Sequence, residues 1–384
     1  MNIKYSQLGD LIKLTELKNK DLSISNLVGM NINKKFIPSV ANTVGTNLAN
    51  YKIIEKNQFA CNLMHIGRDE AIVVSLYLED FPSIISPAYR VFQVIDENIV
   101  NSEYLMLYFL RPAFDKLCWF YTDSSVRGSL DWSQFCKIEI PIPPIEDQNK
   151  IINIYKFFNK RINLKQKINN HLEEQLSLIF DDYFVKCSAY DEDSLVKTDW
   201  GKIPKEWKNI DFGELIQITS GDRPDEKSET KTTEFNIPLF GASKIMGYTK
   251  EYSYNEDILI IGRVGTHGVV QRVNYPCFPS DNTFVIKSKY YGFVYQILKR
   301  IDYDSLNTGS TQPLITQKSL KTVNVVLPDE NLLFEFENIS KVFFDKIYLN
   351  QNEITSLRRL RDTLLPKLMS GEIDVSQINC DLEV

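Results

Sequence analysis

The sequence predicts an α+β fold: two mixed α/β heads separated by two long α-helices that pair as an antiparallel coiled coil, with internal pseudo-two-fold symmetry. Three observations predict it. Similar segments recur at a period of about 186 residues, half the chain. Two stretches carry apolar residues at sustained heptad spacing. Between them lie short strand-like runs such as AIVVSLYL from Ala71 and DILIIGRVG from Asp257, mixed with helical stretches such as YLMLYFLRPAFDKL from Tyr104.

In chain order, residues 1–143 form the first head and 144–190 the first long helix. Residues 191–328 form the second head, and 329–384 the second helix with a C-terminal tail. The clearest repeat is FFNKRINLKQKI from Phe157 against FFDKIYLNQNEI from Phe343. Upstream of it, KIEIPIP from Lys137 matches TVNVVLP from Thr322, each alternating toward a proline as a strand end does. SPAYRVF from Ser86 matches SDNTFVI from Ser280. Gly67–Arg68 and Gly262–Arg263 each follow a strand-like run, and Gly128–Ser129 and Gly309–Ser310 each sit in a polar loop before the final strand. Their shared order makes chance an inadequate explanation.

The first helix carries one series at Ile151, Phe158, Lys165, Leu172 and Ile179, and another at Tyr155, Ile162, Asn169, Leu176 and Tyr183. The second carries Phe336, Phe343, Asn350, Leu357 and Leu364, interleaved with Ser340, Ile347, Ile354, Arg361 and Leu368. A helix of about 40 residues is about 60 Å long. Polar residues interrupt each seam near its middle: Lys165 and Asn169 in one, Asn350 in the other. Such residues fix register at a cost in stability, so the helices are expected to pair antiparallel and meet near these layers. The competing arrangement has each helix lying on its own head.

Composition narrows the function classes. No apolar run approaches the roughly 18 residues of a membrane span, and the N-terminus MNIKYSQLGD has no apolar core after its charge, unlike a signal peptide. The six cysteines form no CxxC pair, which points to a reducing, cytoplasmic setting without a disulfide framework or zinc site. Net charge is −6, but residues 1–143 carry −1, 144–198 carry −1, 199–328 carry +1 and 329–384 carry −5. The heads are near neutral, so charge alone does not point to nucleic acid.

Catalytic signatures are absent from the sequence. There is no Asn/Asp–Pro–Pro–aromatic loop of an adenine methyltransferase, no GxGxxG after a strand and no GxxxxGK[ST]. GRVGTHG from Gly262 lacks the lysine and reads as a tight turn bringing backbone close to a partner. Pro224–Asp225 with Glu229 and Lys231 mimics a nuclease pattern but lies in the polar run GDRPDEKSETK, a solvated loop. None of His65, His171 and His267 has a ligand at metal spacing. His171 reads as a solvated helix residue, whereas His65 and His267 lie beside the matching Gly–Arg pairs, favouring a shared binding surface.

Several segments together resemble the specificity subunits of type I restriction–modification systems over essentially the full chain. They are PIPPIEDQNKII from Pro141, LRRLRDTLLPKLMSGEI from Leu357, and IGRVGTHGVVQRV with SDNTFVI and NTGSTQPLITQKSL in the second head. In the first head they are FACNLMHIGRDEAIVVS, ISPAYRVF and SVRGSLDW. One departure is LPDENLLFEF, which lacks the Pro-x-x-x-Gln form of the first repeat. The resemblance implies that each head is a target-recognition domain reading half of a bipartite, asymmetric site in double-stranded DNA, with the helices as spacers. It implies no catalysis and no cofactor in this chain. Two copies of a modification (adenine-N6 methyltransferase) subunit would dock on the helices, and restriction (endonuclease/translocase) subunits would join them. S-adenosylmethionine, ATP and Mg would bind those partners, and the methyltransferase would flip its adenine out of the duplex. The alternatives are a helical scaffold that does not touch DNA, or a stand-alone nuclease or methyltransferase with an unrecognised site.

Base edges are read by Arg on guanine, Asn or Gln on adenine, and Ser or Thr on several partners. Loop residues of these kinds, with an aromatic and the two loop histidines, are the candidate DNA contacts. They are Asn62, His65, Arg68, Arg127, Ser129 and Trp132 in the first head, and Arg223, Arg263, Thr266, His267, Asn282, Thr311 and Gln312 in the second.

Overall fold

The computed structural model describes residues 3–39, 45–64, 66–122, 128–198, 201–309 and 313–376. They gather into two units, Met1–Lys165 with Glu353–Val384, and Gln166–Asn352. Both divisions fall inside long helices, so each unit contains one head and part of each helix.

The first unit is built on a four-stranded antiparallel sheet in the order Ile12–Leu14, Arg90–Val94, Gln58–Asn62, Val73–Leu76. Its central strands are apolar on both faces, as strands covered from both sides must be. Phe59, Cys61 and Phe92 face a large core shared with Tyr104, Leu105 and Phe109 of the helix Ser102–Phe109. The alternate residues Ala60 and Val91 pack with Tyr77 against Ile54 and Ile85 of a second layer. That layer is a sheet ordered Phe36–Pro38, Leu27–Met30, Ser83–Ile85, Lys52–Ile54, with Leu27–Met30 and Ser83–Ile85 parallel. Lys4–Gln7 pairs antiparallel with Glu139–Ile142 and delivers the chain into the first long helix.

The second unit repeats this plan. Its main sheet runs Gln217–Ser220, Thr283–Lys287, Ile258–Gly262, Gln271–Val273, again antiparallel throughout. Leu259, Ile261, Phe284 and Ile286 pack toward the helix Tyr291–Leu298, while Ile258, Ile260 and Val285 pack the other way. A smaller sheet, Ile245–Thr249, Ile237–Phe240, Phe278–Pro279, again has one parallel pair. Lys208–Asp211 pairs with Asn324–Leu327 ahead of the second long helix. The period in the sequence is thus a repeat of strand order.

The heads differ after their short helix. The run from Tyr104, expected as one helical stretch, is two helices, Ser102–Phe109 and Pro112–Phe120. Pro112 has no N–H and clashes with a preceding turn, so it starts a helix where it cannot continue one. After Tyr291–Leu298 the second unit continues in turns instead.

The long helices span Ile145–Phe180, closing in a π-turn at Asp181–Val185, and Glu330–Ser370. Every position of the heptad series given above is buried or half-buried. Within the first unit, Lys150 Nζ donates to the Ser376 carbonyl, Arg361 donates to Asn159 at 2.6 Å, and Lys165 and Arg161 both reach Glu353 at 2.7 Å. Within the second unit, Asn350 Nδ2 donates to Asn169 Oδ1 at 2.7 Å, and the Tyr183 hydroxyl donates to Glu335 at 2.9 Å. In each unit the partner numbers fall as the first helix's rise, so the segments run antiparallel. Asn169 and Asn350 are 8% and 1% exposed, so the polar residues of the two seams meet each other and are kept from water.

Candidate nucleic-acid interface

In the first unit the central strand Gln58–Asn62 ends in a turn that Asn62 itself shapes, its side-chain oxygen accepting from Met64 N at 2.9 Å. A single turn of helix, Ile66–Asp69, follows, held to the core by the buried Ile66. Two backbone bonds then fasten this loop to the one that carries Ser129. Gly67 N donates to Gly128 O, and Leu130 N donates to Leu63 O, both at 2.9 Å. Gly128 has φ +58°, and a Cβ there would stand 2.4 Å from the Gly67 Cα. Only glycine meets both demands. The fastening brings Asn62, Arg68 and Ser129 to one loop cluster.

Arg68 projects into solvent, with 64% of its side chain exposed, and its guanidinium grips both oxygens of Asp69 at 2.7 and 3.0 Å. Its charge is thus half-compensated before any partner arrives. Trp132 begins the helix Trp132–Cys136, capped by Asp131, whose oxygen accepts from Ser133 N at 2.9 Å. The Trp132 ring stacks on Phe135 and leans on Phe92, at centroid distances of 5.3 and 5.6 Å, so one face serves the core. His65 and Arg127 lie outside the described residues.

The second unit builds its loops at the same place in the topology. The central strand Ile258–Gly262 leads into Arg263–Gly268, whose main chain is fastened on both sides. Arg263 N donates to Asn282 O at 3.0 Å, Ile315 N donates to Arg263 O at 2.9 Å, and Gly265 N donates to Pro313 O at 3.0 Å. A Cβ at Gly262 would lie 2.3 Å from Thr266 O, and Gly265 and Gly268 take φ +81° and +79°. The glycines of GRVGTHG therefore make a tight turn, as expected of them, and backbone closes on backbone. A third loop joins: Gly221 N and Asp222 N donate to Thr283 O and Pro279 O, each at 3.0 Å. Arg223, 83% exposed, pairs with Asp281 at 2.9 Å.

Arg223, Arg263, Thr266, His267 and Asn282 thus share one interlocked cluster. Thr266 and Asn282 are exposed. His267 has its Nε2 3.3 Å from Arg263 O and its ring 6.3 Å from that of Tyr303. Arg263 lies over the Phe284 ring at 5.6 Å, and its Nε is buried with no hydrogen-bond partner among the described residues. Thr311 and Gln312 lie outside the described residues; beside them in the chain, the Asn307 side-chain oxygen accepts from Gly309 N and Leu314 N at 2.9 Å each.

The chemistry these clusters offer is donation and acceptance of hydrogen bonds from exposed polar side chains on a rigid main chain. Among the described residues no group of three or more His, Cys, Asp or Glu is placed to hold a metal ion, and no helix is long and apolar enough to cross a membrane. His171, in the first helix, is solvated and lies 3.2 Å from Glu174. Sequence reasoning missed the contacts that seat the loops. Gly67 and Gly128 are 61 residues apart, and only their being glycines in corresponding loops hinted at a meeting.

Residues 2–174 and 204–357 match the model of the type I restriction modification DNA specificity domain. This chain belongs to the type I restriction–modification specificity family. It is 25% identical over 313 residues to the type I restriction enzyme MjaIX specificity subunit of Methanocaldococcus jannaschii, covering 74% of this chain and 72% of that one. The type I restriction enzyme HindI specificity subunit of Haemophilus influenzae is 20% identical and is covered over 99% of its length. The crystal structure of a type I restriction–modification S subunit from M. genitalium superposes with a TM-score of 0.56, at 16% identity and 96% coverage of each chain. The family is one of specificity subunits, which are not themselves catalytic.

Proposed function

We propose that the chain reads a bipartite, asymmetric site in double-stranded DNA, one half with each head, and directs modification and restriction subunits to it. The observation that carries this reading is the paired loop clusters. Both heads raise loops from the same end of the corresponding strand and fasten them by glycine-mediated backbone contact, yet the side chains they carry differ: exposed Arg68 with half-buried Asn62 and Ser129 in one, exposed Arg223, Thr266 and Asn282 in the other. A common frame with unlike side chains suits two readers of unlike half-sites, since base contacts specify while the frame positions. The heads are target-recognition domains in this reading.

The two long helices serve as the spacer, paired as an antiparallel coiled coil, with the Asn169–Asn350 pair setting register and an approximate two-fold relating the halves. The buried heptad positions and the antiparallel contacts within each unit support this. The outer helix faces dock two modification subunits, which supply S-adenosylmethionine and methylate adenine; ATP and Mg serve the restriction subunits. The test is co-expression of this chain with modification subunits from the same locus, followed by mapping of N6-methyladenine. The expected result is methylation at one bipartite motif that vanishes without this chain. Methylation by the purified chain alone, or a motif unchanged by its removal, would overturn the reading.

A further inference from the structure

In the second unit, four elements converge on one side chain. Arg272 lies on the edge strand Gln271–Val273, which the chain enters soon after the Arg263–Gly268 loop. Its guanidinium donates to Glu173 of the first long helix. It also stacks 3.9 Å from the ring centroid of Phe344 on the second long helix and 4.8 Å from that of Tyr295 on the short head helix. The Tyr295 hydroxyl donates to the same Glu173 at 2.9 Å, and Lys299 approaches it at 3.5 Å. Arg272 and Glu173 are only 16% and 24% exposed. A charge pair so withdrawn from water is weak evidence of stability, because desolvation offsets most of the attraction. What it supplies is directionality: a planar guanidinium fixed between two rings and a carboxylate tolerates little rotation.

In the first unit the first long helix meets its head through Lys156 on Glu103 at 2.7 Å and Gln148 on Asn101 N and Ile99 O, but the corresponding edge-strand position carries no charge. There the strand position paired with Phe59 is Leu76, where the second unit pairs Leu259 with Arg272. Leu76 packs in an apolar core, whose contacts are non-directional.

We infer that Arg272, held by Glu173, Tyr295 and Phe344, is a positioning residue that fixes the second head's orientation on the helix pair and so makes recognition sensitive to the spacing between half-sites. This rests on the proposed reading of DNA by both heads. Loss of the clamp would leave the head held on the helices by its apolar contacts, the Arg300–Asp181 pair and the Glu337 bonds to Gly292 N and Phe293 N, none of which lies on the edge strand, so sites one base pair longer or shorter would become acceptable while the bases read would not change.

The experiment uses the chain assembled with its modification subunits and a DNA library in which the mapped half-sites are separated by gaps of varied length. Arg272→Met keeps the packed stem and removes the charge and fork; Glu173→Gln keeps the volume and removes the charge from the other side. The wild-type complex is expected to favour one gap length. Each variant should lose at least tenfold of its discrimination against gaps one base pair away, with base preferences in both half-sites unchanged and the melting temperature near wild type. Should Arg272→Met fail to fold, Glu173→Gln decides alone. Variants as gap-selective as the wild type, or variants that lose base preference in one half-site instead, would overturn the inference. A wild-type complex with no bipartite preference at all would overturn the proposed function itself.

Discussion

Replacing Gly128 by alanine tests whether the fastened loops matter for recognition. Two costs arise. The first is conformational: φ +58° costs an L-residue about 1–2 kcal/mol. The second is steric: the new Cβ would stand 2.4 Å from Gly67 Cα and 2.7 Å from Gly67 N, both main-chain atoms with no rotamer to escape into. The loops must part, and the bonds Gly67 N to Gly128 O and Leu130 N to Leu63 O are lost or stretched, at about 1 kcal/mol each. Gly45 provides the control. It also has positive φ, +78°, but a Cβ there meets nothing within 4 Å. Gly45→Ala therefore carries the first cost alone, and Gly128→Ala should exceed it by about 2 kcal/mol, roughly 30-fold in an equilibrium constant. The assay is binding of the assembled complex to DNA with one half-site intact and the other scrambled, with amide exchange at Gly67 followed in parallel. Gly128→Ala should weaken binding to one half-site about 30-fold more than Gly45→Ala, leave the other half-site unaffected and release the Gly67 amide. Equal behaviour of the two variants in binding and exchange would refute the idea that the fastening holds the loops for reading.

Three further outcomes are expected. Arg263→Ala should cost about 1–3 kcal/mol at one half-site and erase preference at a single base position; uniform weakening across all sequences would reassign Arg263 to a phosphate. Asn169→Leu or Asn350→Leu alone should cost about 1–3 kcal/mol by depriving a buried amide of its opposite number, whereas the double variant should come close to neutral in denaturant unfolding; additive single costs would show that the pair does not act together. Glu337, on the second long helix, accepts from Gly292 N and Phe293 N at 2.9 Å each, yet burial raises its pKa from the ordinary value. The folded chain then holds this proton more tightly than the unfolded chain. Its contribution to stability therefore falls as pH climbs from the ordinary to the raised value, and is constant above that. Glu337→Gln should flatten this part of the stability–pH profile, and an unchanged slope would exclude the group as its source.

The long helices were legible because a heptad is a local pattern: each seam residue announces its partner surface every seven positions, and all of them proved buried or half-buried. The repeat was legible in outline for a similar reason, since strand ends, prolines and glycines keep their order. The break at Pro112 was misread because the apolar pattern continued through it, although the proline alone marks the boundary. Trp132 looked like a free aromatic on a loop; that one face belongs to Phe92 and Phe135 depends on a strand 40 residues earlier. The Arg272 junction was invisible. Its members come from four elements, with Glu173 and Arg272 99 residues apart, and a tally of charges treats them as two surface ions. Contacts of that kind exist only once the fold has formed.

The fastening of these loops has a consequence for change over time. The bonds that join Gly67 to Gly128, and Arg263 to Asn282 and Ile315, run between main-chain atoms and are indifferent to what side chains those loops carry. Exposed positions such as 68, 223 and 266 can accept almost any residue without the loop losing its shape, provided the glycines stay. On the proposed reading of DNA, a head of this kind behaves like a typesetter's frame: its type can be exchanged piece by piece, and a new target acquired, while the frame is locked.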